Sequence, residues 1–311
     1  MRAIYSPGPS YYNEQTVRFA GWVKILGYMH DALKEMGFDV HVPRPQDGLI
    51  QDSSSFAKTA SYDIFAALEE YGRKQEPIKP FSLSNYDVGN IPELLIGVPS
   101  YTLVQMMTIP ARVKIVYVWN NSDLHRDRVL PHEYEKFGQK FDLSPIGRQV
   151  NKAALELADH VIACSPFVKK THGEQIPLDK ISIAFWGVDS ETFRPPEVEP
   201  PGFRVLFVGD PVRKGLVYLL GACEMAAKSI KDLELWIVGA DVKLENTGFL
   251  AKVFGMVPHA EMPGIMRQCH IIACPTLEDG IACSVQEGMA SGLVPIATED
   301  PAEVFEDGVS G

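Results

Sequence analysis

Residues 193–208 read Phe193-Arg-Pro-Pro-Glu-Val-Glu-Pro-Pro-Gly202 and then Phe203-Arg-Val-Leu-Phe-Val208. Four prolines in the first ten positions exclude regular structure and stiffen the chain. The six residues that follow are strand-forming. This is a rigid link followed by a fresh start, and it places a domain boundary at 198/199. The expected domains are residues 1–198 and residues 199–311. Beyond the link, Leu216 to Lys228 has helical character, and Leu233 to Val238, Ile271 to Cys274 and Leu293 to Ala297 read as strands. Before it the same alternation holds. Ala3 to Tyr5 is a short strand, Val17 to Met36 a helix stopped by Gly37, and Phe38 to Val42 the next strand. Val113 to Trp119, His160 to Cys164 and Ile181 to Phe185 continue the series, with Ser165-Pro166 as a helix start. Strands alternating with helices make parallel sheets covered on both faces. The expected fold is α/β, with two Rossmann-like doubly wound domains facing a cleft and ligands beyond the carboxyl ends of the strands.

The bulk properties narrow the function. The chain has 311 residues, a formal net charge of -11 and a pI near 5.2. An acidic chain is a poor match for a nucleic-acid backbone, which needs clustered Lys and Arg. The start, MRAIYSPGP, lacks a secretory signal, and no run of about 18 apolar residues occurs, so a cytoplasmic location is expected. Peripheral membrane association stays open, as does the oligomeric state. The five cysteines are scattered and read as buried reduced thiols, and no metal quartet is spaced for ligation.

Two constellations carry chemistry. In Phe207-Val-Gly-Asp-Pro-Val-Arg-Lys-Gly-Leu216 a strand ends at Gly209, and Arg213 and Lys214 precede a helix. A helix start offers backbone N–H groups and a favourable dipole, and the two cations suit a diphosphate. A turn with two solvated cations is the plainer account. The second constellation is Pro275-Thr-Leu-Glu-Asp-Gly-Ile-Ala-Cys-Ser-Val-Gln-Glu-Gly-Met-Ala-Ser-Gly292. A helix starting near Ala282 or Cys283 puts Asp279 beside its first turn and Glu287 one turn on. Carboxylates are natural acceptors for sugar hydroxyls, and N–H groups after Gly280, at Ile281 and Ala282, suit phosphate or sugar oxygens. An acidic helix start explains Glu278 and Asp279, but not Glu287.

Residues 275–292 resemble the donor-site signature of family 4 glycosyltransferases, the group 1 transferases with a GT-B fold. Aligned on Glu287-Gly-Met-Ala-Ser-Gly292, the family's first glutamate falls on Asp279. The segments around Arg213-Lys214, Leu157 to Ser165 and Gly187 to Pro195 also resemble family segments. The resemblance implies a retaining transfer of a sugar from a nucleoside-diphosphate sugar, UDP- or GDP-linked, to a saccharide, lipid-linked or small-molecule acceptor hydroxyl. It implies no cofactor beyond this donor and no bound metal. Glu287 would bind the ribose, Asp279 the donor sugar, and Arg213 and Lys214 the diphosphate.

Some positions depart from the family. Asp279 stands for Glu, and Asp210 stands where Arg is frequent. No His follows Val113 to Trp119, leaving His125 downstream as its expected substitute. Ser6-Pro-Gly8 is the nearest counterpart of a Gly-Gly loop, and the Gly-Gly expected near Glu299 to Glu303 is missing. The family continues past Asp307 to Gly311 into a further strand and helices, so the expectation is either a chain that is cut short or an unusually short protein. The competing readings are an epimerase or phosphorylase of the same architecture, whose patterns are missing, and a catalytically impaired paralogue that binds nucleotide sugars or glycans.

Overall fold

The structure, a computed structural model, describes residues 1–6, 21–42, 91–141, 145–244, 247–298 and 305–309. The expectations on Ser6-Pro-Gly8 beyond Ser6, and on Glu299 to Glu303, lie outside these residues. Two parallel sheets are present. The first has strands β1 (Arg2–Ser6), β2 (Asp39–His41), β3 (Leu94–Gly97), β4 (Val113–Val118), β5 (His160–Ala163) and β6 (Ile181–Ile183), in the spatial order β2-β1-β3-β4-β5-β6. The second has β7 (Phe203–Val208), β8 (Leu233–Val238), β9 (Leu250–Gly255), β10 (Ile271–Cys274) and β11 (Val294–Ala297), in the order β11-β10-β7-β8-β9. Every pairing is parallel. Both orders reverse direction once, the first between β1 and β3 and the second between β7 and β10. Such a reversal is the switch point where doubly wound sheets bind ligands.

The chain forms two compact units, and they are assembled from segments instead of being cut once at the prolines. The first unit contains Val23–Trp119 and Leu143–Ala184, and with them helices α1 (Gly21–Glu35), α2 (Pro99–Thr108), α4 (Pro145–Leu157) and α5 (Pro166–His172). Helix α1 ends at Gly37, as the sequence suggests, and α5 is capped by Ser165, whose Oγ accepts from Val168 N at 3.1 Å. Helices α2 and α4 pack together. Leu95, Val116 and Val161, one from each of β3, β4 and β5, are fully buried.

The second unit contains Asn120–Asp142 and Phe185–Gly311. Its helices are α3 (Asp123–Lys136), α6 (Leu216–Ala226), α7 (Met262–Met266) and α8 (Cys283–Ala290). Alternation along β7 builds its two cores. Val205 and Phe207 pack on one face with Leu216, Leu219 and Leu235, and Leu206 packs on the other with Trp236, Met266, Ile272 and Val285. A strand buried on both faces reads as a continuous apolar run, which is the pattern of Val205–Val208. Phe193, at the start of the proline segment, is 2% exposed and belongs to the second of these cores. Helix α3 belongs here because its side chains are held here. Tyr218 of α6 donates to Glu133 Oε2 at 2.6 Å, and Tyr134 has Asp210 and Arg213 as charged neighbours.

Gly215 precedes α6 at φ 72°, a left-handed conformation, and a Cβ there would run into the Pro275 carbonyl oxygen. Gly221, inside α6, is exposed with open space around it. The two glycines therefore predict opposite effects of alanine. Gly215→Ala should cost more than about 2 kcal/mol through strain and backbone overlap. Gly221→Ala should stabilise by up to about 1 kcal/mol through helix propensity. Urea unfolding midpoints of the two variants check this.

All five cysteines are free thiols; four are buried and Cys283 is half-buried. Burial pushes the Cys223 thiol up to about 11 and the Cys269 thiol up to about 12. At pH 8 the thiolate fraction of either is about 0.1% or less. Both should resist iodoacetamide in the folded protein and react after unfolding, as peptide mass mapping would show.

Candidate functional site

The second sheet's switch point lies between β7 and β10, which pair through Val205–Ile271 and Leu206–Ile272. The loops leaving these two strands carry the two constellations of the sequence, so the topology brings Gly209–Gly215 beside Pro275–Ala282. They are joined directly. Leu277 N donates to Arg213 O at 2.9 Å, and Thr276 Oγ1 lies 3.1 Å from Arg213 O and 3.0 Å from Glu278 O.

In the first loop, Gly209 ends β7 with its N–H on Val238 O at 2.9 Å. Asp210 accepts from Arg213 N through Oδ1 at 2.6 Å and so shapes the turn. Lys214, Gly215 and Leu216 N–H donate to the carbonyls of Asp210, Val212 and Pro211. The amides expected to meet an anion here are therefore spent inside the turn. What this loop offers a ligand is side-chain charge.

That charge is held against the second loop. Lys214 Nζ pairs with Asp279 Oδ2, and both residues are largely buried. Burial pulls the Lys214 ammonium below its ordinary value. Arg213 Nη1 donates to Glu278 O at 3.1 Å and lies 3.7 Å from both Glu278 Oε2 and Asp279 Oδ1. The two cations are therefore not the solvated pair of a surface turn. Nor do Glu278 and Asp279 serve as an acidic helix start, since α8 begins four residues later at Cys283 with Ala282 as its cap residue.

Glu278 has no exposed surface. Its Oε1 accepts from Asn121 N at 3.3 Å, and its Oε2 lies 3.5 Å from Arg126 Nε. Asn121 Nδ2 donates to Asp279 O at 3.1 Å. Asn121 and Arg126 flank the start of α3, so this helix contributes to the site. His125 is on the first turn of α3 and half-buried, its N–H capped by Ser122 Oγ at 3.3 Å.

Gly280, Ile281 and Ala282 are buried and lead into α8. The Gly280 N–H is taken by Asp279 Oδ1 at 3.1 Å. Ala282 offers no side-chain cap to the first turn of α8. Glu287, one turn into α8, meets His259, whose Nε2 donates to Glu287 Oε1 at 2.7 Å. His259 is 6% exposed and lies against the Phe193 ring. Sequence reasoning missed this partner, which lies 28 positions before Glu287. Helix α8 closes against the sheet at Gly288, where a Cβ would press on Ile272.

Other segments that resemble the family have local structural roles. Asp189 folds the turn before the proline segment, accepting from Glu191 N, Thr192 N and Thr192 Oγ1. Asp159 accepts from Lys114 N at 2.8 Å and ties β4 to β5. Among the described residues, no group of three or more His, Cys, Asp or Glu is arranged to hold a metal ion, and no helix is long and apolar enough to cross a membrane.

Comparisons with known proteins bear on the family and the fold. Residues 202–311 match the family described as Glycosyl transferases group 1. GDP-mannose:cellobiosyl-diphosphopolyprenol alpha-mannosyltransferase of Xanthomonas oryzae pv. oryzae is 26% identical over 153 residues. That alignment takes in 45% of this chain and spans 40% of the relative's length. Sucrose-phosphate synthase from Thermosynechococcus elongatus superposes on 97% of the chain and 82% of its own, at 17% identity and a TM-score of 0.64. Anabaena HepE in complex with UDP and glucose covers 100% of the chain and 84% of its own, at 16% identity and a TM-score of 0.57. At such identities the structural likeness bears on fold alone. Residues 202–311 are therefore similar to the glycosyl transferases group 1 family, and the chain has the GT-B fold.

Proposed function

We propose that the protein transfers a sugar from a nucleoside-diphosphate sugar to an acceptor hydroxyl with retention of configuration, as a hexosyltransferase of the family 4 type. The observation that carries the reading is the meeting of Arg213 and Lys214 with Asp279 at the second sheet's switch point, in the loop that leads into the helix of Glu287. The names of the similar proteins favour a GDP- or UDP-linked donor, since one relative uses GDP-mannose and HepE was captured with UDP and glucose.

In this mechanism Arg213 and Lys214 neutralise the departing diphosphate, where negative charge grows in the transition state. The acceptor oxygen bonds to the anomeric carbon on the face from which the diphosphate leaves, the bond from that carbon to the phosphate oxygen breaks, and the hydroxyl proton passes to the departing phosphate oxygen. Asp279 contacts donor-sugar hydroxyls, Glu287 the ribose hydroxyls, and His125 stands near the reacting centre. The two cations take the part a metal would otherwise play, so activity should survive a chelator. Loss with EDTA and recovery with Mn²⁺ would overturn that part.

A non-catalytic binding role is the second reading, favoured by the commitment of Asp279 to Lys214. Release of nucleoside diphosphate from a panel of UDP- and GDP-sugars separates the two. An active parent should lose well over tenfold in turnover on Asp279→Asn, since a charge-assisted bond is worth about 1.5–3 kcal/mol. No turnover with any donor, together with ligand-induced stabilisation, would establish the binding role.

The Glu287–His259 pair makes a graded prediction for nucleotide affinity. Glu287→Ala should weaken nucleoside diphosphate binding by about 1.5–3 kcal/mol. His259→Ala removes a hydrogen bond that orients the carboxylate and should cost about 0.5–1.5 kcal/mol. The double variant should bind no more weakly than Glu287→Ala alone, as calorimetry would show. Additive losses would mean that His259 acts independently of Glu287.

A further inference from the structure

Helix α3 brings another cation to the cluster. Arg126 Nε lies 3.5 Å from Glu278 Oε2, the oxygen that also faces Arg213 Nη1 at 3.7 Å. Two guanidinium groups sharing one carboxylate oxygen are near enough to share one diphosphate. Arg126 is steadied on other sides by Asp123 Oδ1 at 3.8 Å and by the Phe141 ring, 5.7 Å from its centre. These contacts orient the group without using its donors. They exceed the 2.7–2.9 Å of a charge-assisted hydrogen bond, and Arg126 Nε is buried with no hydrogen bond.

Arg204 shows the contrast. Its Nε donates to Glu234 at 3.2 Å, its Nη1 to Gln268 O at 3.1 Å, and its plane lies 4.9 Å from the Trp236 ring centre. That guanidinium is spent on structure. The Arg126 guanidinium is partly exposed, fixed in place and rich in unspent donors, beside a loop that already holds Arg213 and Lys214.

We propose that Arg126 is a third diphosphate-binding cation, acting with Arg213 and Lys214 on the donor's pyrophosphate group. The proposal rests on the donor-site reading above. Its planar fork can take two phosphate oxygens at once, which an ammonium cannot.

Calorimetry on the full chain with UDP, GDP, UMP, GMP and inorganic pyrophosphate tests it. The parent should bind UDP or GDP more tightly than the matching monophosphate. Arg126→Ala should weaken diphosphate and pyrophosphate binding by about tenfold or more, with a much smaller effect on the monophosphates, and Arg126→Lys should recover part of the loss. Because Arg126→Ala strands the Glu278 charge, Arg126→Ala combined with Glu278→Gln removes both charges and should retain the selective loss. A folded double variant that binds UDP or GDP as tightly as a parent that binds them overturns the role of Arg126 and leaves the donor site intact. An equal loss for monophosphates and diphosphates overturns it too. A parent that binds none of these ligands overturns the donor-site reading, and the role of Arg126 falls with it.

Discussion

A carboxylate cut off from water must find counter-charge and hydrogen bonds inside the protein, and Glu278 finds them on three separate segments. Arg213 comes from the β7–α6 loop, Arg126 from α3 and the Asn121 N–H from the residues before α3. Desolvating an ion costs several kcal/mol, and removing one partner of a buried pair leaves that cost unmatched. Glu278 therefore fixes where these segments meet. Beside it the Lys214–Asp279 pair applies the same constraint, with an ammonium already weakened as a base-holder by burial. The rest of the site hangs on this knot of charge at the sheet's switch point.

The sheet makes the knot possible. Because β7 packs apolar residues on both faces, the loops after β7 and β10 emerge side by side from a rigid floor. Their polar groups can then be placed by backbone contacts such as Leu277 N to Arg213 O. A site for a charged ligand built this way is organised before the ligand arrives, which is what electrostatic stabilisation of a departing diphosphate requires.

Much of this architecture is legible in the sequence where burial is two-sided. The reading of β7, β8 and β10 matches the structure residue for residue, because each central strand carries four consecutive apolar residues, Val205–Val208, Leu235–Val238 and Ile271–Cys274. Strand β9 escaped notice: it is an edge strand whose Leu250, Lys252 and Val253 are exposed. Helix α3 was also invisible, since Leu130 is its only fully buried residue among mostly charged neighbours and Pro131 interrupts its pattern. In the site, Asp279, Glu287, Arg213 and Lys214 were legible because each lies within a local motif. Arg126, Asn121 and His259 were not, because their meaning depends on partners far along the chain. Asn121 and Glu278 are 157 positions apart, and no local spacing encodes such a pairing. The amides before α6 show the opposite failure. The local pattern suggested an open anion nest, and the Asp210 turn closed it.

Gly209 and Gly239 end neighbouring strands, and a Cβ on Gly239 would meet Gly209 N at 3.2 Å and its Cα at 3.3 Å. A Cβ on Gly209 would in turn meet Lys214 Cγ at 3.1 Å. Most tight packings tolerate change by compensation, one side chain shrinking as its neighbour grows. For Gly239 the obstacle is the backbone of a residue that is already the smallest, so no second-site change can make room. Gly209 is held differently, by a φ of 126° and by the Lys214 stem. The spacing of these two strand ends is therefore a dead end for sequence drift at Gly239: that glycine can be lost only by moving the backbone beneath the cation.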